Sequence, residues 1–209
     1  MTGYAVFILL GYLLGSVPFG LIFSRIIAGT DVRDYGSGRT GMTNVIRSLG
    51  LPAGIAVLLL DMGKAILAVL LARIFYDSYG VEVAAALAVI VGHNWPVFSG
   101  FRGGRGISPG WGGLLIISPL SGLVASVVGV STIAIWRYMS VGSIVGASIG
   151  SVTLVVLGLI DVDPLEYAWY GLIATPILIF RHKDNLQRLW RGEERKIGRP
   201  AEPTTPTQA

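Results

Sequence analysis

The sequence predicts an all-α integral membrane protein, a bundle of seven transmembrane helices, one of them short, with the N-terminus outside and the C-terminus in the cytoplasm. Three observations carry this expectation. Of the 209 residues 53% are hydrophobic and 13% charged, with a mean hydropathy of +0.69, whereas a water-soluble domain carries about 25% charged residues. Apolar runs of bilayer-crossing length recur along the chain. Basic residues collect in alternate connections. The same composition excludes a disordered chain, and the absence of cysteine excludes a disulfide scaffold, a thiolate-bound zinc or iron–sulfur site and a cysteine nucleophile. Lys+Arg 16 against Asp+Glu 12 gives a net charge of +4, a balance that also suits nucleic acid. The hydropathy overrides that reading, so no nucleic-acid partner is expected.

The spans are expected at Tyr4–Ile27, Leu51–Tyr76, Val81–Phe98, Pro109–Ser118, Leu120–Trp136, Val141–Ile160 and Leu165–Phe180. The first lacks a basic start and its apolar stretch is too long for a cleaved leader, so it reads as a retained helix. The stretch Ile107–Trp136 is too long for one ordinary span, and Pro119 marks a turn that divides it. Charge settles the division. Arg33, Arg39 and Arg47 in residues 29–50, Arg102 and Arg105 in 99–108, Arg137, and the basic segment from Arg181 then share one side. Asp77, Asp161 and Asp163 fall on the other, with Glu82 and Glu166 near it. By the positive-inside rule the basic side is cytoplasmic. The span Pro109–Ser118 is too short to cross a hydrocarbon core of about 30 Å, so neighbouring helices or a polar pocket must shield it. Ser108 suits its N-cap and Pro109 its first position. Residues 1–197 form a single domain, and 198–209, rich in Pro and Thr, read as a disordered cytoplasmic tail.

Three polar segments on the basic side are unlike ordinary connectors. Gly36-Ser-Gly-Arg-Thr-Gly-Met-Thr-Asn44 is followed by Arg47. Gly36, Gly38 and Gly41 let backbone approach a ligand, Ser37, Thr40, Thr43 and Asn44 offer hydrogen bonds, and Arg47 stands one turn into the next helix. Such a set suits an anion, most naturally phosphate; a flexible loop beside anionic headgroups is the competing reading. In Gly92-His-Asn-Trp-Pro-Val-Phe-Ser-Gly-Phe-Arg-Gly-Gly-Arg-Gly106, Arg102 and Arg105 bracket Gly103 and Gly104 ahead of a helix N-terminus, a second anion site on the same physics. Trp95, Phe98 and Phe101 also suit an interfacial belt, and the two roles are compatible. In Arg181-His-Lys-Asp-Asn-Leu-Gln-Arg-Leu-Trp-Arg-Gly-Glu-Glu194, helical spacing puts His182 on a face with Asn185 and Leu189, and Arg181 with Asn185 and Arg188. His182 is able to donate to phosphate or take a proton, while a basic cluster reading anionic lipid fits the spacing equally. Asp61 and Lys64, three apart inside a span, are expected to neutralise each other. His93 reads as a buried hydrogen-bonding residue. No His/Asp/Glu group has metal-ligand spacing, so no metal is expected.

Together and in order, the segments GSGRTGMTNVIR, GHNWPVFSGFRGGRG and RHKDNLQRLWRGEE resemble the bacterial acyl-phosphate:glycerol-3-phosphate acyltransferases, the PlsY family. The resemblance runs from Leu14-Gly-Ser-Val-Pro-Phe-Gly20 to Glu194, with Asp61 and Lys64 in the family's LDxxK pattern. It implies an enzyme of the bacterial cytoplasmic membrane, its site facing the cytoplasm, that moves a fatty acyl group from acyl phosphate to the 1-hydroxyl of glycerol 3-phosphate. Lysophosphatidic acid and phosphate would result, with no cofactor and no obligate protein partner. The resemblance assigns acceptor-phosphate binding to Ser37, Arg47 and Arg105, with His182 and Asn185 completing a catalytic set. Gly36, Gly38, Gly41, Thr43, Asn44, Arg102, Gly103, Gly104 and Arg188 complete the substrate-binding set, Gly103 and Gly104 closing on the acyl phosphate.

Within the motifs Arg39 replaces the usual Asn, Met42 an Ala, Arg102 and Arg105 two lysines, and Ser108-Pro109 an Ala-Thr pair. An acyltransferase of this fold with another acceptor is the runner-up. A carrier of anionic lipid or phosphate would show inverted repeats and charges deep in several spans, whereas Asp61 and Lys64 are the charges at depth here. No HxxxxD box is present, since Phe98 and Gln187 stand five residues after His93 and His182.

Overall fold

Inside a bilayer each backbone N–H and C=O must pair within its own segment, so apolar runs fold as helices. The computed structural model describes residues 2–198; the tail expected from 198 lies, beyond its first residue, outside the described residues. The chain forms α1 (Thr2–Gly15), α2 (Phe19–Ala28), α3 (Met42–Leu49), α4 (Leu51–Tyr76), α5 (Tyr79–Asn94), α6 (Ile107–Ile117), α7 (Pro119–Trp136), α8 (Met139–Leu159), α9 (Ala168–Arg181) and α10 (Lys183–Trp190). Among the described residues, five stretches are long and apolar enough to cross a membrane: Thr2–Ala28, Leu51–Tyr76, Tyr79–Ser99, Pro119–Trp136 and Met139–Leu159.

The first run is not one unbroken helix. Pro18 has no N–H to give Leu14, and its ring crowds the preceding turn, so α1 ends at Gly15 and α2 restarts at Phe19. Carbonyls freed at the break take a partner from another helix: Lys64 Nζ on α4 donates to Gly15 O at 2.8 Å and Val17 O at 3.3 Å. The turn at Ser118 falls as expected. Its hydroxyl accepts from the Ser121 N–H to cap α7 and donates to Asp163 at 2.6 Å.

The short helix α6 begins earlier than the sequence suggests. Its N-cap is Gly106, at φ +81°, so Ser108 and Pro109 lie inside the first turn. A proline is tolerated there because the first N–H groups of a helix have no intrahelical partner. Eleven residues reach only about 16 Å, and α6 is shielded by α4, α7 and α9. Close approach needs Gly112: a Cβ there would stand 2.5 Å from the Met62 carbonyl oxygen on α4. Gly113 likewise faces Tyr170, whose hydroxyl donates to Gly110 O at 2.8 Å. Buried Val69, Ile90, Leu114, Leu154, Tyr170 and Leu178 join α4, α5, α6, α8 and α9 in one core.

Polar staples define the two ends. At one, Arg73 of α4 pairs with buried Glu82 of α5 at 2.8 Å and donates to Ile116 O at the end of α6, while Tyr167 donates to Glu82 at 2.8 Å. The connections carrying the three glycine- and arginine-rich segments gather at the other.

Candidate active site

The first polar segment is folded by one buried side chain. Asn44, in the first turn of α3, accepts from the Ser37 N–H at 3.0 Å. Its amide nitrogen donates to the carbonyls of Val32 (2.8 Å), Tyr35 (3.0 Å) and Arg39 (2.9 Å). That wraps residues 32–39 around Asn44 and brings Ser37 to the cavity that Arg47 also lines. Arg39 reaches across to Asp184 on α10 at 3.1 Å, which ties the first segment to the third and gives the arginine at this position a local partner.

The second segment is pinned from several sides. Tyr12 donates to Trp95 O at 3.0 Å and Arg33 to Ser99 O at 2.9 Å. Arg181 donates to Gly104 O at 2.7 Å while its guanidinium lies 4.9 Å from the Trp95 ring centre. The Gly104 N–H donates to His93 O at 3.1 Å. A Cβ at Gly103 would overlap His93 O and Pro96, and one at Gly104 would overlap the His93 ring. These glycines close on His93, off the cavity, where the sequence suggested contact with substrate. Arg102 is exposed and also off the cavity. Arg105 turns inward, with its Nε buried and unpartnered.

In the third segment the helix resets. His182 separates α9 from α10, so Arg181 joins Gly104 instead of sharing a face with Asn185 and Arg188. His182 is 2% exposed, and its Nδ1 lies 2.8 Å from Leu178 O. A carbonyl only accepts, so Nδ1 carries the proton and the neutral ring keeps a lone pair on Nε2. Burial, with Arg105 and Arg181 nearby, pushes its pKa down to about 4. Glu194 then folds back: one carboxylate oxygen accepts from Asn185 (2.6 Å) and Ser140 (2.8 Å) and the other from Arg188 (2.8 Å).

These pieces enclose a cavity of about 400 Å³, within the roughly 300–1,000 Å³ of small-molecule sites. Its polar end holds Gly36, Ser37, Gly41, Thr43, Asn44, Arg47, Arg105, His182, Asn185 and Arg188. Gly38 stands apart, in the turn (φ +65°) behind Ser37. Five arginines (39, 47, 105, 188 and 195) line the cavity with Glu194, of which Arg39 is paired with Asp184 and Arg188 with Glu194. Burial and the neighbouring Arg39 and Arg188 depress the Arg105 pKa to about 10. Burial and Arg195 lower that of Arg47. Both remain charged at neutral pH, so the pocket holds uncompensated positive charge for an anion. The cavity continues between α6, α7, α8 and α9 past Trp111, Leu114, Ala125, Val130, Ile133 and Gly146, an apolar slot. Val130 is 60% exposed, so the slot reaches the outer face of the bundle.

Sequence reasoning did not pick out Glu194, Ser140, Arg39 and Arg195 as site residues. Glu194 closes the third motif, a signal available beforehand; Ser140 sits in an unremarkable stretch and is brought in by packing alone. Ser108 lines the cavity, so the altered Ser108-Pro109 pair keeps a hydroxyl there. Asp61 and Lys64 form the expected ion pair at 2.8 Å, and His93, beside it, lines the cavity as well.

Fold and cavity define a helical membrane protein with an arginine-rich pocket continuous with an apolar slot, a shape for a ligand with an anionic head and an apolar tail. A family model described as glycerol-3-phosphate acyltransferase matches residues 5–192. The chain is 40% identical over 194 residues to the glycerol-3-phosphate acyltransferase of Thermoanaerobacter sp. (strain X514), covering 93% of this chain and 96% of the relative. It is 42% identical over 197 residues to that of Anaeromyxobacter sp. (strain Fw109-5), covering 92% and 95%. Among solved structures it is similar to PlsY (YgiH), an integral membrane glycerol 3-phosphate acyltransferase, in its glycerol 3-phosphate form, with a TM-score of 0.86, 33% identity and coverage of 93% and 96%. The chain belongs to the glycerol-3-phosphate acyltransferase family.

Proposed function

We propose that this protein transfers a fatty acyl group from an acyl phosphate to the 1-hydroxyl of glycerol 3-phosphate, giving lysophosphatidic acid and inorganic phosphate. The observation that carries this reading is the junction of five arginines with an apolar slot in one cavity, since donor and product each join a phosphate to a long chain. The solved relative in its glycerol 3-phosphate form and a second in its lysophosphatidic acid form, at a TM-score of 0.82 and 32% identity, support acceptor and product.

Ser37, Arg47 and Arg105 take the acceptor phosphate, the guanidinium forks matching its oxygens. His182 Nε2 and Asn185 receive the glycerol hydroxyls, and Gly36, Gly41, Thr43 and Arg188 line the approach. The acyl chain lies along α6–α9. An acyl phosphate is a mixed anhydride, so no enzyme nucleophile is needed and positioning with electrostatic stabilisation suffices. The hydroxyl oxygen attacks the carbonyl carbon, the bond to the bridging oxygen breaks, and phosphate leaves with the electron pair. A neutral imidazole with a pKa of about 4 is a weak base, so His182 orients the hydroxyl and the proton departs on phosphate.

The protein crosses the membrane seven times with its site on the cytoplasmic side; the clustering of Arg33, Arg39, Arg47, Arg102, Arg105 and Arg137 in connections at the site's end supports this orientation. In purified, folded protein, Arg47→Ala or Arg105→Ala lowers kcat/KM for glycerol 3-phosphate by about 10² or more, as for loss of a charged oxyanion ligand. Near-normal kinetics in either variant contradict the assignment.

A further inference from the structure

His93 belongs to none of the roles above, yet it lines the cavity and is held by a buried ionic unit. Its Nδ1 is 2.9 Å from Lys64 Nζ and 3.4 Å from Asp61 Oδ1, the second contact lacking hydrogen-bond geometry. Lys64 also pairs with Asp61 at 2.8 Å and donates to Gly15 O and Val17 O across the break between α1 and α2. Asp61 and Lys64 are 1% and 5% exposed. Carbonyl oxygens only accept and an ammonium has no lone pair to offer an imidazole, so the three hydrogens of Lys64 go to Gly15 O, Val17 O and His93 Nδ1. Asp61, whose oxygens take no hydrogen bond, stands beside the unit as its counter-charge. His93 Nδ1 therefore receives a hydrogen, and the proton of the neutral ring sits on Nε2.

The position of Nε2 is also fixed. It rests against Gly104, where a Cβ would overlap it, and Arg105 is the next residue. The absence of a side chain at Gly104 lets the ring lie flush with the loop, and His93 and Arg105 both line the cavity. Which imidazole nitrogen carries the proton is set by the hydrogen bond that the other nitrogen makes.

We infer that His93 is a further catalytic residue, its Nε2–H donating to a non-bridging phosphoryl oxygen of the acyl phosphate beside Arg105, with Lys64 and Asp61 as the positioning pair that fixes the tautomer. The inference rests on the acyl-phosphate reading above. As the bond between the carbonyl carbon and the bridging oxygen breaks, its electron pair moves onto the phosphate, and a hydrogen-bond donor at those oxygens stabilises the growing charge. The hydrogen bond persists to the departing phosphate, and His93 neither gains nor loses a proton.

Two substitutions separate this role from packing. In His93→Asn the side-chain oxygen stands near Nδ1, able to accept from Lys64, and no donor reaches Gly104. His93→Gln places an amide N–H near Nε2. The expected result is a fall of about 10² in kcat/KM for palmitoyl phosphate in H93N, with KM for glycerol 3-phosphate within about twofold and the melting temperature unchanged. H93Q recovers about tenfold of that loss, the worth of one hydrogen bond. The chain has two histidines, so ¹⁵N-imidazole spectra of the wild type in nanodiscs, assigned by difference from H93Q, report the tautomer directly. An Nε2–H signal that shifts on adding inorganic phosphate is expected. Wild-type turnover in H93N, H93Q no better than H93N, or an Nε2 signal unmoved by phosphate each overturns the proposal; should H93N fail to fold, the wild-type spectrum decides. A wild type that shifts with phosphate but never consumes palmitoyl phosphate contradicts the donor reading and leaves the His93 donor standing.

Discussion

Asn44 shows how a single side chain shapes the pocket. Its amide holds three carbonyls and one N–H of the loop ahead of it, so the loop's form depends on a donor at that nitrogen. Asn44→Asp keeps the shape and places a carboxylate oxygen among three carbonyl oxygens. Each lost or repelled buried bond costs about 1–3 kcal/mol, so N44D is expected to lose at least about 3 kcal/mol of stability and raise KM for glycerol 3-phosphate about tenfold or more. Thermal unfolding and initial rates check both. The residues that could be named from sequence were those whose chemistry is local, such as Ser37, Arg47, Arg105, His182 and Asn185. Ser140 and the Arg39–Asp184 pair were not legible as site residues, because what they touch is set by packing between segments up to 145 residues apart, whereas Glu194 sits at the end of the third motif within reach of Asn185 and Arg188. Gly103 and Gly104 show the converse. Their need for no side chain was readable, but what occupies the freed space is His93, which spacing along the chain does not reveal.

Among elements, the apolar runs located the long helices within a few residues, because burial in lipid requires continuous hydropathy. The breaks were less visible. Pro18 splits α1 from α2 inside an otherwise uniform run, and the ends it frees are satisfied by Lys64 from another helix. Gly50, at φ +92°, likewise separates α3 from α4. The N-cap of α6 falls two residues ahead of the expected one, since Gly106 in a left-handed conformation precedes the helix in place of Ser108. The alternation of connections makes a prediction at this scale. The chain has no cysteine, so Val162→Cys, in the acidic connection after α8, and Lys183→Cys, at the start of α10, are each a single reporter. Both positions are exposed. A membrane-impermeant maleimide is expected to label V162C in intact cells and K183C only after lysis. The reverse pattern contradicts the proposed orientation.

At the scale of the whole molecule, one end of the bundle is closed by Arg73, Glu82, Tyr167 and the Ser118–Asp163 bond. The other gathers the three polar segments over the cavity. Glu82 is buried while Arg73 is 39% exposed, so the arginine reaches in from the surface to neutralise a carboxylate that would otherwise stand uncompensated. The apolar slot reaches the outer face near Val130, so a donor dissolved in the bilayer and an acceptor dissolved in water can meet at the arginines. Family membership speaks to acceptor and fold; the identity of the donor rests on the chemistry of the cavity. The direct test is phosphate release by the wild-type protein in lipid, supplied with palmitoyl phosphate, with and without glycerol 3-phosphate. Release that requires glycerol 3-phosphate, with one lysophosphatidic acid formed per phosphate, is the predicted result. Folded protein that releases no phosphate, or releases it without making lysophosphatidic acid, would contradict the account.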